Sequence, residues 1–225
     1  MEILKNISVQ LSLDEIRTRL HMKEERDISS VKRLVVIAEK IIEPKALYNV
    51  CYIDKKDHDT VTVEGVFLKS RVLRKNLDQV EKIFPFVITL GNKLNEKQRA
   101  CTDFLENFYL DTIGNVALNS IRKQLQGHLQ LKYGLNKIAS MAPGSLSDWP
   151  IEEQAPLFKL LGDVEASIGV KLTPNLLMIP SKSVSGIYFP TEVSFYSCQL
   201  CPRKRCESRK AKYDEVLAGE YGIKN

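Results

Sequence analysis

The sequence predicts an α+β protein, and three observations carry that reading. Apolar residues recur at helical spacing through the first 45 positions. Strand-forming runs separated by turn residues then replace them between Leu47 and Phe67. A long helical stripe follows, from about Asn95 to Tyr133. Strand and helix do not alternate regularly, so the strands are expected to pair as hairpins rather than as a doubly wound parallel sheet.

Each element has a local reason. Ser12 can cap a first helix, with Glu15 three residues on completing a capping box and Leu13, Ile16 and Leu20 at helical spacing. Ser29 or Ser30 can cap the next. Val31, Leu34, Val35, Ala38, Ile41 and Ile42 form its apolar face, and Pro44 stops it. Residues 47–53 read as one strand, Asp54 to Asp59 as a polar turn, and Val61 to Phe67 as the returning strand. Ser70 caps a short helix to about Leu77, and Lys82 to Leu90 is a strand despite Pro85.

The long helix is marked by Phe104, Leu105, Phe108, Leu110, Ile113, Val116, Ala117, Ile121, Leu125 and Leu129, and Gly134 ends it. Gly114 inside it costs about 1 kcal/mol against alanine, which points to a packing reason. Ile138 to Met141 is a short strand. Pro143-Gly144 opens a loop to Pro150, a helix runs from there to Leu161-Gly162, and residues 171–179 and 184–189 are extended. The organisation expected is a helical segment 1–45, a main domain 46–197 and a cysteine-rich basic tail 198–225.

The 225 residues are 44% hydrophobic and 27% charged, which excludes global disorder and supports a sizeable core. No run approaches the roughly 20 apolar residues of a membrane helix, and the first residues hold no apolar signal core. The expectation is a cytoplasmic protein with reduced cysteines. The net charge of +5 is local: Arg203, Lys204, Arg205, Arg209, Lys210 and Lys212 stand against Glu207 alone, an excess equal to the total. The remainder is near neutral, which argues against a general nucleic-acid surface.

Cys198, Cys201 and Cys206 fall in the same stretch, as C-x2-C-x4-C. Two cysteines at that spacing can turn both sulfurs to one ion, and nearby cations favour the thiolate. An iron–sulfur cluster or zinc, a redox dithiol, and ordinary reduced cysteines are the alternatives. Ala142-Pro143-Gly144 with Ser147-Asp148-Trp149-Pro150, and Pro180 to Gly186, are turns where backbone can approach a ligand. Each equally suits a plain connection. His21, His58 and His128 have no ligand spacing and read as surface or satisfied residues, and Asp103, Glu106 and Asp111 as a solvated helix face. No phosphate-binding loop, nucleophile elbow or zinc-protease motif is present.

Taken in order, Pro143-Gly144, Asp148-Trp149-Pro150, Leu160-Leu161, Ile168 to Thr173, Met178-Ile179-Pro180 and Ser183-Val184-Ser185-Gly186 resemble the activation domain of cobalamin-dependent methionine synthase, in its short free-standing form. Thr89-Leu90-Gly91 and the helix around Gly114 fit the same relatives. The resemblance covers about residues 45–197. It implies a curved antiparallel sheet with flanking helices that docks over a cobalamin held by another protein and binds S-adenosylmethionine. An electron and a methyl group then restore the oxidised cobalt, and the cofactors carry that chemistry.

The resemblance puts a ligand-contacting alanine on Ala142, the S-V-S-G segment on Ser183 to Gly186, and a ligand-contacting tyrosine on Tyr196. Ala142, Pro143, Gly144, Ser183, Val184, Ser185, Gly186 and Tyr196 would line the cofactor face, and Cys198, Cys201 and Cys206 would be metal ligands. Its charged contacts are replaced: the arginine for the ligand carboxylate is Ser140, the glutamate for the ammonium falls on Asn119, and a tyrosine near the corrin is Ser145. Each lost charge-assisted contact costs about 2–4 kcal/mol of binding. The implied partners are a corrinoid-binding methyltransferase or methionine synthase core and a reductant protein, with the basic tail helping to dock an acidic surface. The alternative is a non-enzymatic binding module with an altered ligand and a structural metal.

Overall fold

The computed structural model of the chain describes residues 1–5, 7–22, 28–206 and 209–223. Strand β1 (Glu2–Leu4) is followed by α1 (Leu13–Arg19), where the Ser12 hydroxyl accepts from the Glu15 N–H at 3.2 Å. The Glu15 carboxylate pairs with Arg19 at 2.7 Å. Ser29 and Ser30 lie within helix α2 (Ile28–Ile41) and do not cap it.

The run read as one strand from 47 to 53 is two. Strands β2 (Lys45–Tyr48) and β3 (Cys51–Lys56) both pair with β6 (Lys82–Thr89), one after the other along the same strand. Between them the Asn49 N–H donates to the Pro85 carbonyl at 3.1 Å, and the Asn49 side chain turns away to donate to Leu160 O and accept from Val50 N–H. Strands β4 (Thr60–Val63) and β5 (Val66–Lys69) continue the meander beyond β3. Helix α3 (Arg71–Asn76) follows, capped by Ser70 as expected.

The long helical region is interrupted. Helix α4 (Lys93–Arg99) stops at Ala100, and Asp103 starts α5 (Phe104–Tyr133) by accepting from the N–H groups of Leu105 and Glu106. Asp103 is therefore a cap rather than part of a solvated face. Phe104, Leu105 and Phe108 are exposed, so the buried stripe begins only at Tyr109. The reason for Gly114 is packing: a Cβ there would lie 3.0 Å from the Lys182 Cε and 3.2 Å from a Leu94 methyl. Lys182 crosses α5 at this point to reach Asp111 at 2.7 Å and Asn115 at 2.8 Å.

Strand β7 (Ile138–Met141) leads into the Pro-Gly turn, a 3-10 turn (Ile151–Glu153), α6 (Gln154–Lys159) and α7 (Val164–Ile168). A small ribbon of β8 (Lys171–Leu172) and β9 (Met178–Ile179) precedes β10 (Ser183–Pro190). The chain then makes a 3-10 turn (Ser197–Leu200) and ends in α8 (Glu215–Glu220).

Every pairing in the main sheet is antiparallel. β10 joins β6 to β7, so β6 is central between β2/β3 and β10. The sheet curls and is covered on both faces, which is why β6 and β10 read as unbroken apolar runs. Phe84, Phe86, Ile88 and Tyr188 face a core built with α2 and α5, while Ile83, Ile187 and Phe189 face a second core built with α3, α6 and the C-terminal tail. The expected α+β class with a curved antiparallel sheet and flanking helices is the fold observed.

The tail is packed into this second core. Leu200 and Ala218 are buried there, Tyr221 donates to the Asn76 side chain at 3.2 Å, and the Lys75 ammonium lies 4.4 Å above the Tyr221 ring. Arg209 staples the intervening loop by donating to the carbonyls of Cys198, Cys201, Arg203 and Ala211. Among the described residues, no helix is long and apolar enough to cross a membrane.

Candidate functional site

A cavity of about 700 Å³ opens between α5, β7, β10 and the tail. Helix α5 contributes Asn119, Arg122, Lys123, Gln126 and Gln130, which recur at helical spacing as a polar stripe beside the buried one. Strand β7 contributes Ile138 to Met141, with Ala142 at its end. Strand β10 contributes Val184, Ser185 and Tyr188, and the tail adds Ser194 to Cys198 and Lys210.

Of the residues expected on the cofactor face, Ala142, Val184, Ser185 and Tyr196 line this cavity, and Pro143, Gly144, Ser183 and Gly186 do not. Gly144 holds φ +77° in the turn closed by Ser145 N–H to Ala142 O and by its own N–H to Trp149 O, so it shapes the cavity edge from behind. Ser183 donates to the Pro180 carbonyl at 2.7 Å and sits 2.9 Å from the Thr89 hydroxyl, which ties β10 to β6. Gly186 is buried where β10 passes β7: a Cβ would lie 2.6 Å from the Met141 carbonyl oxygen and 3.2 Å from the Phe86 ring. It allows close approach of protein to protein, not of ligand to protein.

The Asp148-Trp149 segment is also structural. Asp148 accepts from the Ser70 hydroxyl (2.6 Å), the Val72 N–H (2.9 Å) and the Arg71 guanidinium (3.0 Å), clamping the loop onto the start of α3. Burial pushes its pKa up, but these donors outweigh burial and hold it below the usual value. Trp149 is fully buried in the second core. His128, half-buried, is satisfied by the Tyr48 hydroxyl at 3.1 Å.

Apart from Lys210 of the basic stretch, the cations of the cavity were not singled out in the sequence. Arg122, Lys123, Lys137 and Lys210 line it, and among the described residues no aspartate or glutamate does. The signal was present in the Asn119-Arg122-Lys123-Gln126-Gln130 periodicity, which the apolar stripe of the same helix overshadowed. Arg122 reaches across to Ser140, donating to its hydroxyl at 3.3 Å, while its buried Nε has no partner. A guanidinium from α5 thus stands beside the β7 position where the resemblance leads one to expect an arginine. None of these cations forms an ion pair among the described residues. Tyr188 fixes the cavity floor, stacking on Phe86 at 4.6 Å and donating to the Arg122 carbonyl at 3.0 Å.

The cysteines are free thiols in differing surroundings. Cys198 lines the cavity and accepts from the Lys210 N–H at 3.4 Å, Cys201 packs against the second core, and Cys206 is exposed. The expected grouping of Cys198, Cys201 and Cys206 is not formed: among the described residues, no three His, Cys, Asp or Glu side chains are placed to hold one metal ion. The backbone is instead ordered by Arg209. Cys51 is buried, and burial pushes its thiol up to about 12, so it is an inert core residue.

The cavity does not fit a zwitterionic sulfonium well. It offers cations and hydroxyls for a carboxylate, but the described lining holds no carboxylate for the ammonium, and Asn119 is neutral.

No curated protein sequence matches the chain. A family model described as the activation domain of vitamin B12 dependent methionine synthase matches residues 132–212. That segment forms the β7, β10 and tail walls, and it takes in Cys198, Cys201 and Cys206, beyond the limit of 197 expected from sequence. It excludes Asn119, Arg122 and Lys123 of α5. Among solved structures, the chain is similar to the crystal structure of the MetH reactivation domain bound to AdoHcy. The TM-score is 0.57 at 16% identity, covering 87% of this chain and 81% of that one. Residues 132–212 therefore match the family model of the vitamin B12 dependent methionine synthase activation domain, and the chain shares the fold of the MetH reactivation domain.

Proposed function

We propose that the protein is a reactivation or accessory factor for a corrinoid protein, with the α5–β7–β10 cavity as its ligand site. The observation that carries this is placement: the family match over 132–212 falls on the walls of the cavity. The cobalamin belongs to the partner, a corrinoid-binding methyltransferase or methionine synthase core, and supplies the methyl-transfer and redox chemistry. This chain supplies a shaped surface. Ala142, Val184, Ser185 and Tyr196 face the ligand, and the basic tail steers an acidic partner or reductant.

Electron delivery through a metal centre on Cys198, Cys201 and Cys206 belongs to the same proposal. It requires the 201–206 stretch to rearrange so that the sulfurs converge. The second reading, a binding module with an altered ligand and a structural metal, is favoured by the lack of a carboxylate in the described lining.

The test is anaerobic purification followed by capture of corrinoid proteins and analysis for iron, sulfide and zinc. Capture of a corrinoid protein is expected, and failure to retain any overturns the accessory role. Stoichiometric iron and sulfide support the electron route, stoichiometric zinc favours the binding module, and a metal-free protein removes both metal assignments.

A further inference from the structure

The ligand that the resemblance implies carries a sulfonium and an ammonium, yet the cavity is cationic. Arg122 and Lys123 enter from α5, Lys137 from the end of β7 and Lys210 from the tail, and none has a carboxylate partner among the described residues. Positive charges held around one water-filled volume repel one another and any further cation. The Lys210 ammonium feels this: burial depresses its pKa foremost, and Arg122, Lys123 and Arg19 add to the effect against Cys198. The remaining polar lining consists of hydroxyls and amides, among them Ser140, Ser185 and Thr191, all able to donate. The buried Arg122 Nε–H is a donor left over once its neighbouring nitrogen has reached Ser140.

We infer that the cavity binds a multivalent organic phosphate of nucleotide size in preference to S-adenosylmethionine, with Arg122 and Lys210 as its principal charge contacts. A guanidinium carries several N–H donors, of which only one is engaged with Ser140, and several phosphate charges neutralise the cluster as a single carboxylate cannot. The volume accommodates a nucleoside body, and the exposed Tyr196 ring offers it a stacking surface at the rim. This inference rests on the cavity being the ligand site, as proposed above, but not on the identity of the protein partner.

Calorimetry on the full chain with ATP, inorganic tripolyphosphate, adenosine and S-adenosylmethionine tests it. ATP and tripolyphosphate are expected to bind with affinity that falls at least tenfold between 50 and 200 mM salt, with adenosine and S-adenosylmethionine at least tenfold weaker than ATP. Arg122→Gln and, separately, Lys210→Gln should each weaken ATP at least tenfold with the circular dichroism spectrum unchanged. The double variant Arg203→Gln/Arg205→Gln, outside the cavity, should change it less than twofold. The inference is overturned if S-adenosylmethionine binds more tightly than ATP, if neither polyphosphate binds at millimolar concentration, or if the tail double variant loses as much as Arg122→Gln. Corrinoid-protein capture without added nucleotide is scored separately, so loss of capture with intact ATP binding indicts the accessory role alone.

Discussion

At the scale of single residues, the family-like segments divide by what each side chain touches. Gly186 is expected from sequence to be open to ligand, but its missing Cβ makes room for the Met141 carbonyl oxygen at 2.6 Å. Gly186→Ala should therefore lower stability by about 1–3 kcal/mol through forced separation of β10 from β7, read as a reduced urea midpoint. An unchanged midpoint would mean that the strands part freely. Asp148 offers a pH-dependent counterpart. Its pKa is lower folded than unfolded, so the stability it contributes is present above its unfolded value of about 3.9 and is lost as pH falls through the folded one. Asp148→Asn should cost about 2 kcal/mol at pH 7, and the gap to the parent protein should close as acid protonates Asp148. A gap that stays constant down to pH 2 would show that charge is not what holds the clamp.

At the scale of elements, helix starts were the most legible features. Ser12 and Ser70 cap where their spacing predicts, because a cap is a local competition between one hydroxyl and the N–H three residues on. The break between α4 and α5 was not legible, since Ala100 to Thr102 carry no proline or glycine, and Asp103 reads equally well as a surface carboxylate. Asp103→Ala should destabilise by about 0.5–2 kcal/mol and speed amide exchange in the first turn of α5. Unaltered exchange there would remove its capping role. The split of β2 from β3 also escaped the sequence, because it depends on Pro85 of a strand more than 30 positions away. Arg209 is the tertiary element that orders the tail. Arg209→Met keeps the side-chain bulk but removes its donors to the carbonyls of Cys198, Cys201, Arg203 and Ala211, and should raise tryptic cleavage of residues 201–206 several-fold. Cleavage at the parental rate would show that the loop is ordered by packing alone.

At the scale of the molecule, the tail is part of the second core rather than an appendage to it. Leu200 is fully buried in the second core, so Leu200→Ala should cost about 2–5 kcal/mol. A loss under 0.5 kcal/mol in equilibrium unfolding would return the tail to the status of a separate extension. The same docking brings Lys210 and Cys198 to the cavity formed by α5 and β7, elements that lie more than 50 residues earlier.

The sequence by itself determined the α+β class, the starts of α1 and α3, the strands β6 and β10, the Pro-Gly turn and the likeness to the activation domain. All of these depend on periodicity and on local hydrogen bonding within a few residues. Only the tertiary structure decided which of the family-like residues line the cavity. Gly186 packs against Met141 and Phe86 and Ser183 bonds Pro180 and Thr89, while Val184, Ser185 and Tyr196 line the cavity; strand alternation does not give this division, since Ser183 and Ser185 share one face of β10 and Val184 and Gly186 the other. It also decided the charge of the site. Arg122, Lys123, Lys137 and Lys210 are dispersed along the chain and converge only when α5, β7 and the tail pack around one volume, where their fields add.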